Sequence, residues 1–406
     1  RNPVQEIRET AAFTGKLGQK HPSIPFPQDL YGNLRHNSKG LDLANDQVLK
    51  ALNDAATRFH DQTWSSQPML GQEIDSSLER SLVTVLNPSS HQDIVGYVHE
   101  AEAQDVELAL TLAQKAESDW ANTTPVQRAG MLKKAADLME ERIQELLVLL
   151  SRESGKTYAN GLAEVREAVD FLRYYATQME SIAAQSVVTP LGTVLCISPW
   201  NFPLAIFSGQ IAAALVAGNC VVAKPAEQTP LIAALAVELL WEAGVPHSVL
   251  QLMPGRGEIV GALLSQDTRI QGIMFTGSTE VAKILQKTVS GRVTRHGQPV
   301  VFIAETGGQN AMIVDSSALT EQVVLDVLSS AFDSAGQRCS ALRILCVQED
   351  NAKPLLHMLK GGMQQLRVGN PVYLNTDIGP VIDQEAKTNI ENHIQKMQKQ
   401  GYPVYQ

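Results

Sequence analysis

The sequence reads as an α/β protein: a doubly wound parallel sheet, then a second and shorter α/β segment. Two observations point there. After Pro190, short apolar runs alternate with single helical stripes, an order that demands parallel strands joined by crossover helices. Several of those runs also end in glycines and charges, and a sheet of this kind binds ligands at the carboxyl ends of its strands.

Residues 1–45 hold no period. His21-Pro22-Ser23-Ile24-Pro25-Phe26-Pro27 is proline-rich, and Tyr31-Gly32-Asn33 and Asn37-Ser38-Lys39-Gly40 are turn-forming, so an inter-domain connector is expected, with a recognition segment as the alternative. From about residue 104 the pattern is helical, with Val106, Leu108, Ala109, Leu112, Ala113 and Ala116 in one stripe. Thr124-Pro125 supplies an N-cap and a proline at the first helical position, opening a long helix towards Glu153 that Gly155 ends. A third helix carries Glu164, Arg166, Glu167, Asp170, Phe171, Arg173 and Tyr174. Strands are then expected over 193–197, 220–223, 249–253, 272–275 and 300–304, and helices over 207–216, 231–241, 259–264 and 281–289. The second α/β segment begins near Asn310, with strands over 311–314 and 343–347 around a helix over 321–333. Gly401-Tyr402-Pro403-Val404 reads as the start of a further strand. Since the chain also opens on Arg1 with no apolar leader, it is expected to be an excerpt of a longer polypeptide and not a secretory precursor.

Composition narrows the function. The 406 residues carry 33 Lys+Arg against 43 Asp+Glu, a net charge of −10, which disfavours a polyphosphate partner. A hydrophobic fraction of 44% excludes disorder for most of the chain. The apolar runs 211–223 and 231–241 are broken by Asn219 and Glu238, so no membrane span is expected. Four cysteines without framework spacing fit a reducing, cytoplasmic compartment. Nine histidines show no ligand spacing, and no metal is expected.

Each motif with chemical content has a plainer reading beside it. Gly255-Arg256-Gly257 with Gly261 lies between a strand and a helix, one residue off the dinucleotide fingerprint, and a tight turn explains it equally. Thr276-Gly277-Ser278-Thr279-Glu280 can offer Ser278 and nearby amides to an anion, or be an ordinary helix cap. Lys224-Pro225-Ala226-Glu227 puts a cation and an acid at a strand end, where they hold ribose hydroxyls or form a solvated turn. Cys196, Cys220 and Cys346 fall in apolar strands and are expected to be buried. Cys339, in Ala335-Gly336-Gln337-Arg338-Cys339-Ser340, lies in a loop that can present a thiol, with Arg338 placed to lower its pKa; a buried loop thiol is the alternative. Glu305-Thr306-Gly307-Gly308 puts a carboxylate at a strand end with two glycines behind it, suiting a mobile general base or a turn acid. In Pro199-Trp200-Asn201-Phe202-Pro203, Asn201 is either a rigid amide donor or a cap.

Taken in chain order, Pro199-Trp200-Asn201-Phe202-Pro203, Lys224-Pro225-Ala226-Glu227, Phe275-Thr276-Gly277-Ser278-Thr279, Glu305-Thr306-Gly307-Gly308 and Gly336-Gln337-Arg338-Cys339 resemble the ordered motif set of the aldehyde dehydrogenase superfamily over about residues 46–406. Residues 164–168 and 173–176, the stretch Arg338 to Arg343, Asp377-Ile378-Gly379-Pro380-Val381-Ile382-Asp383 and the leading residues 29–32 and 37–43 further resemble the proline utilization A proteins. There a proline dehydrogenase barrel precedes an L-glutamate γ-semialdehyde (pyrroline-5-carboxylate) dehydrogenase. The resemblance implies a Rossmann-type NAD-binding domain over 46–304 with its N-terminal helices, a truncated catalytic domain over 305–406, a covalently linked barrel upstream and a homo-oligomer. It implies Cys339 as nucleophile, Glu305 as hydrolytic base and Asn201 as oxyanion donor. NAD would meet Ile197, Ser198, Pro199, Trp200, Lys224, Glu227, Gly257, Gly277 and Ser278, with the Glu227 carboxylate disfavouring NADP. Ser340, Glu164 and Phe207 would contact the substrate. The family's later Glu-x-Phe-Gly-Pro segment lies beyond Gln406, so a chain ending there is expected to turn over weakly or not at all. Rival readings are an aldehyde dehydrogenase of other specificity, a CoA-acylating relative, which would lack the base at Glu305, and a silent NAD-binding module. The acidic charge gives a DNA-binding role no support.

Overall fold

The computed structural model describes residues 2–5, 23–73 and 77–405; Arg1, His21, Pro22 and Gln406 lie outside them. Asn45 caps helix α1 (Asp46–Arg58), its side chain accepting from the Gln47 and Val48 amides. Strands β1 (Trp64–Ser66), β2 (Leu82–Asn87) and β3 (Ser90–His99) form a small sheet in the order β1-β3-β2, with β3 parallel to β1 and antiparallel to β2. Helix α2 (Ala103–Asn122) follows, then α3 (Pro125–Glu141), opened by the expected Thr124 cap in a reciprocal box with Gln127. The long helix expected to run to Glu153 is two helices. Arg142 leaves the helical range (φ −96°, ψ 19°), and α4 (Ile143–Ser154) begins beyond it. α3 buries one stripe through Met139, whereas residues 146–154 of α4 are buried on all sides, so the break re-aims the chain between two environments. Gly155 ends α4 in the left-handed region (φ 69°), as expected.

Helix α5 (Tyr158–Ala183) is met by residues 35–38. Arg35 Nη1 pairs with Asp170 Oδ1 at 2.9 Å, and Ser38 Oγ donates to Asp170 Oδ2 at 2.7 Å. Asn37 and Ser38 are buried there, so this part of the expected connector is docked rather than free.

The main sheet then forms as predicted: β4 (Thr193–Ile197), α6 (Ala205–Val216), β5 (Cys220–Lys224), α7 (Pro230–Glu242), β6 (Leu250–Leu252), α8 (Ala262–Gln266) after one π turn, β7 (Ile270–Gly277), α9 (Thr279–Ser290) and β8 (Val301–Thr306). All five strands are parallel, in the order β6-β5-β4-β7-β8. The order reverses between β4 and β7, and a ligand crevice opens outside the carboxyl ends of strands at such a point. Lys224, Ile197, Phe275 and Ala304 pair in one row across the sheet, marking that edge. β4 and β5 are covered on both faces, which is why they read as unbroken apolar runs.

Strand β9 (Asn310–Val314), helix α10 (Thr320–Phe332) and β10 (Leu342–Val347) build a separate two-stranded parallel sheet, followed by α11 (Glu349–Gln365) and α12 (Gln384–Lys399). One core cluster runs from Leu52 to Val300; a second joins Val314, Val323, Val327, Leu342 and Leu355. β10 is covered on one face only, and Cys346, expected in a core, is exposed on the other. Cys196 and Cys220 are buried as expected, and burial pushes the Cys220 thiol up to about 12. Residues 402–405 form no strand: Pro403 has no donor for a ladder, and Tyr405 instead accepts from Gln364 Nε2 at 2.6 Å beside α11.

Glu153 is fully buried at the end of α4, where it accepts the Leu231 and Ile232 amides (2.7 and 2.9 Å) that open α7. Burial pushes its carboxyl up to about 8, against the pull of those two amides. The folded protein then keeps a proton that the unfolded chain loses from its ordinary value of 4.5 upwards. The contribution of Glu153 to stability is fullest below that value and falls as pH rises to about 8. Glu153→Gln is expected to flatten that fall, read as the difference between urea midpoints at about pH 5 and about pH 8.

Candidate active site

One end of the crevice is built from the termini of β4 and β5 and the turns that follow them. Lys224, at the end of β5, is buried and donates to Glu227 Oε1 at 3.0 Å. The same oxygen accepts the Gly257 amide at 2.6 Å. The two turns that looked separately ambiguous in sequence are therefore joined, and Glu227 Oε2 carries no hydrogen bond among the described residues. Ile197 ends β4, and the amide of buried Ser198 donates to the Lys224 carbonyl at 3.2 Å. Pro199 and Trp200, both half-buried, continue the turn.

Across the switch point, β7 ends at Gly277, where a side-chain carbon would stand 2.6 Å from the Phe275 ring. Ser278 caps α9, accepting the Val281 amide at 3.2 Å, so the plainer reading of that residue holds locally while its turn faces the crevice edge. Thr276, the residue before Gly277, pairs in register with Glu305 of β8, and its hydroxyl accepts from Gln210 Nε2 at 3.0 Å. The Glu305 side chain is exposed.

Cys339 and Ser340 are exposed between α10 and β10. The loop before them is strained: Ser334, Ala335 and Gly336 all take left-handed backbone (φ 56°, 55° and 67°), costing about 1–2 kcal/mol at each non-glycine position. Several elements hold it. Asp333 accepts the Ser334 amide at 2.9 Å and Asn160 Nδ2 at 2.8 Å. Arg343 Nη2 donates to the Gly336 carbonyl at 2.7 Å, and Asn310 Nδ2 donates to the Cys339 carbonyl at 2.8 Å and the Ala341 carbonyl at 3.0 Å. Gln337 is clasped by the segment 377–383: its side-chain oxygen accepts the Ile382 amide at 2.9 Å, and its nitrogen donates to the Pro380 carbonyl at 3.3 Å.

Asn201 closes the arrangement. Its Nδ2 donates to the Gln337 carbonyl at 3.0 Å, tying the turn after β4 to the cysteine loop across 136 residues of sequence. An amide nitrogen has two protons, so one Asn201 donor is left without a partner among the described residues.

Three expectations change. Arg338 does not serve the thiol: its Nη2 pairs with Asp333 Oδ2 at 2.6 Å and with Asn160, which directs its charge at the strained turn. Glu164 is 1% exposed and presents no free carboxylate to a substrate; Oε1 accepts the Leu204 and Ala205 amides at 2.8 and 3.3 Å, capping α6. Phe207 is 0% exposed within α6, packed in the core rather than along an open pocket. Sequence reasoning passed over Asn160, Asp333 and Asn310. Asparagine is a poor strand former, so Asn310 at the start of β9 was the readable mismatch. Among the described residues no His, Cys, Asp and Glu cluster could hold a metal, and no helix is long and apolar enough to cross a membrane.

Comparison with known proteins gives a consistent picture. Residues 74–406 match the family described as "Aldehyde dehydrogenase family". The chain is 57% identical over its whole length to the bifunctional protein PutA of Escherichia coli, of which it spans only 30%. It is 37% identical, over 79% of its length and 64% of the relative's, to a 1-pyrroline-5-carboxylate dehydrogenase of Anoxybacillus flavithermus. A crystal structure of 1-pyrroline-5-carboxylate dehydrogenase from Thermus with bound NAD matches at a TM-score of 0.83 and 32% identity, over 92% of this chain and 73% of that one.

Proposed function

Since the chain belongs to the aldehyde dehydrogenase family, we propose that it oxidises L-glutamate γ-semialdehyde to L-glutamate with NAD, Cys339 being the nucleophile. The observation that supports this most is the Asn201–Gln337 bond, which brings a candidate oxyanion donor to the loop of an exposed thiol. The residues at the strand ends fit a dinucleotide. Glu227, with one oxygen held by Lys224 and Gly257, has the other for ribose hydroxyls, and Ile197, Ser198, Pro199, Trp200, Gly277 and Ser278 border the remaining crevice. A carboxylate in that place favours NAD over NADP.

The Cys339 thiolate attacks the aldehyde carbon, and the carbonyl electron pair moves onto oxygen. That oxyanion is met by the free Asn201 proton and the Cys339 amide. Bound NAD supplies the hydride acceptor. The thioester that remains is opened by water, whose proton passes to Glu305 as the carbon–sulfur bond breaks. Ser340, beside the nucleophile, is assigned to the carboxylate end of the substrate. We place residues 46–304 as the cofactor-binding part and 305–406 as the catalytic part. The chain lies in a cytoplasmic, homo-oligomeric polypeptide whose residues 1–45 connect it to a proline dehydrogenase domain, as the word bifunctional in the names of the PutA relatives supports.

The test is NADH formation by the full-length protein with glutamate γ-semialdehyde or pentanal. A preference of about a hundredfold or more in kcat/KM for the semialdehyde is expected of a pocket with polar groups for a carboxylate. Equal rates would leave an aldehyde dehydrogenase of other specificity, and no NADH from either would indicate a silent module.

A further inference from the structure

Lys156 follows the glycine that ends α4 and is 5% exposed. Its ammonium has three donors and three neighbours. It donates to the Asn201 backbone carbonyl at 2.7 Å, lies 3.0 Å from Glu164 Oε2, and sits 4.8 Å from the centre of the Phe202 ring. The other Glu164 oxygen takes the Leu204 and Ala205 amides. One buried ion pair therefore grips the chain at residues 201, 202, 204 and 205, immediately around the candidate oxyanion donor. Pro203, between them, has no N–H with which to anchor itself.

A buried ion pair is a poor device for stability alone, since an apolar pair of similar volume commonly serves as well. What a fixed charge adds here is orientation. The carbonyl of Asn201 is held from one side by Lys156 while its side-chain amide is held from the other by Gln337, so both ends of the residue are pinned. We propose that Lys156, with Glu164 as its counter-charge, is a positioning residue that aims the Asn201 amide at the oxygen of the reacting carbonyl. This rests on the reading of Asn201 and Cys339 given above.

The test uses the full-length protein and the variants Lys156→Met, Asn201→Ala and their double. Two readouts are followed: aldehyde oxidation, and alkylation by iodoacetamide measured on the Cys339 peptide. Alkylation forms the sulfur–carbon bond as iodide leaves, so it needs the thiol but no oxyanion donor. Asn201→Ala is expected to lower kcat/KM for aldehyde about 10²–10³-fold. Lys156→Met is expected to lower it about tenfold to a hundredfold, with KM for NAD and the alkylation rate within about twofold of wild type. If Lys156 acts through Asn201, the double variant loses no more than Asn201→Ala alone.

Losses that multiply, or alkylation that falls in step with turnover, would overturn the positioning role while leaving the enzymatic reading in place. An unmodified protein that oxidises no aldehyde would overturn both. Should Lys156→Met not fold because it strands the Glu164 carboxylate, Lys156→Met with Glu164→Gln removes both charges together and carries the same comparison.

Discussion

Cys339→Ala is expected to lower NADH formation by about 10⁴-fold or more, because without the thiol no covalent intermediate forms. No other cysteine can take its place. Cys196 and Cys220 are buried, and burial raises both thiols far from the thiolate form. Cys346 is exposed, but it lies within β10, paired in register with Ile313, and not in the loop that Asn201 contacts. The substitution should also be structurally quiet. Cys339 is exposed and its side chain makes no hydrogen bond among the described residues, so stability should shift by no more than about 0.5 kcal/mol. Turnover and a urea melt on the same preparation decide the matter. Activity within tenfold of wild type would assign the chemistry elsewhere.

Glu305→Gln should separate the two halves of the reaction. The amide is close in shape to the carboxylate but takes no proton from water, so thioester hydrolysis slows by about 10²–10⁴-fold. Reduction of the cofactor precedes that step, and rapid mixing should therefore show about one NADH per site followed by a slow steady rate. Glu305 suits such a test because it is exposed near the end of an edge strand, with no hydrogen-bond partner among the described residues to lose. A variant with an unaltered steady rate would move the base to another group; one with neither burst nor turnover would place Glu305 before hydride transfer.

The parallel sheet was legible because β4, β5 and β7 are buried enough to leave unbroken apolar runs, and because Pro, Gly and charge mark their ends. The small sheet of β1–β3 was not. β2 is mostly exposed, so its hydrophobic pattern follows neither a core nor a clean alternation, and its partner in register comes from pairing rather than local preference. At the site, Cys339, Asn201, Glu305, Lys224 and Glu227 announced themselves as reactive or charged residues at expected strand ends. The groups that hold them did not. Asn160, Asp333 and Lys156 act on residues far away in sequence, and no local period records a hydrogen bond between Asn160 and Asp333 across 173 residues. Arg338 misled for the same reason: adjacency to Cys339 in sequence placed its charge on the thiol, while the fold turned it towards Asp333. The helix expected to reach Glu153 failed because propensity continues through Arg142 while the direction of burial does not.

The tether between Asn201 and the Gln337 carbonyl also orders events as the chain is made. All five strands of the main sheet lie N-terminal to Cys339, the last ending at Thr306, so they are synthesised before it. Asn160, Asn201 and Asn310, on which the cysteine loop leans from the N-terminal side, are also synthesised before Cys339, whereas Arg343 and the clasp from Pro380 and Ile382 follow it. Domains generally fold as units during synthesis, N-terminal part first. The strand ends of the proposed cofactor crevice are thus made before the proposed nucleophile, and the thiol emerges after most of the residues that hold its loop.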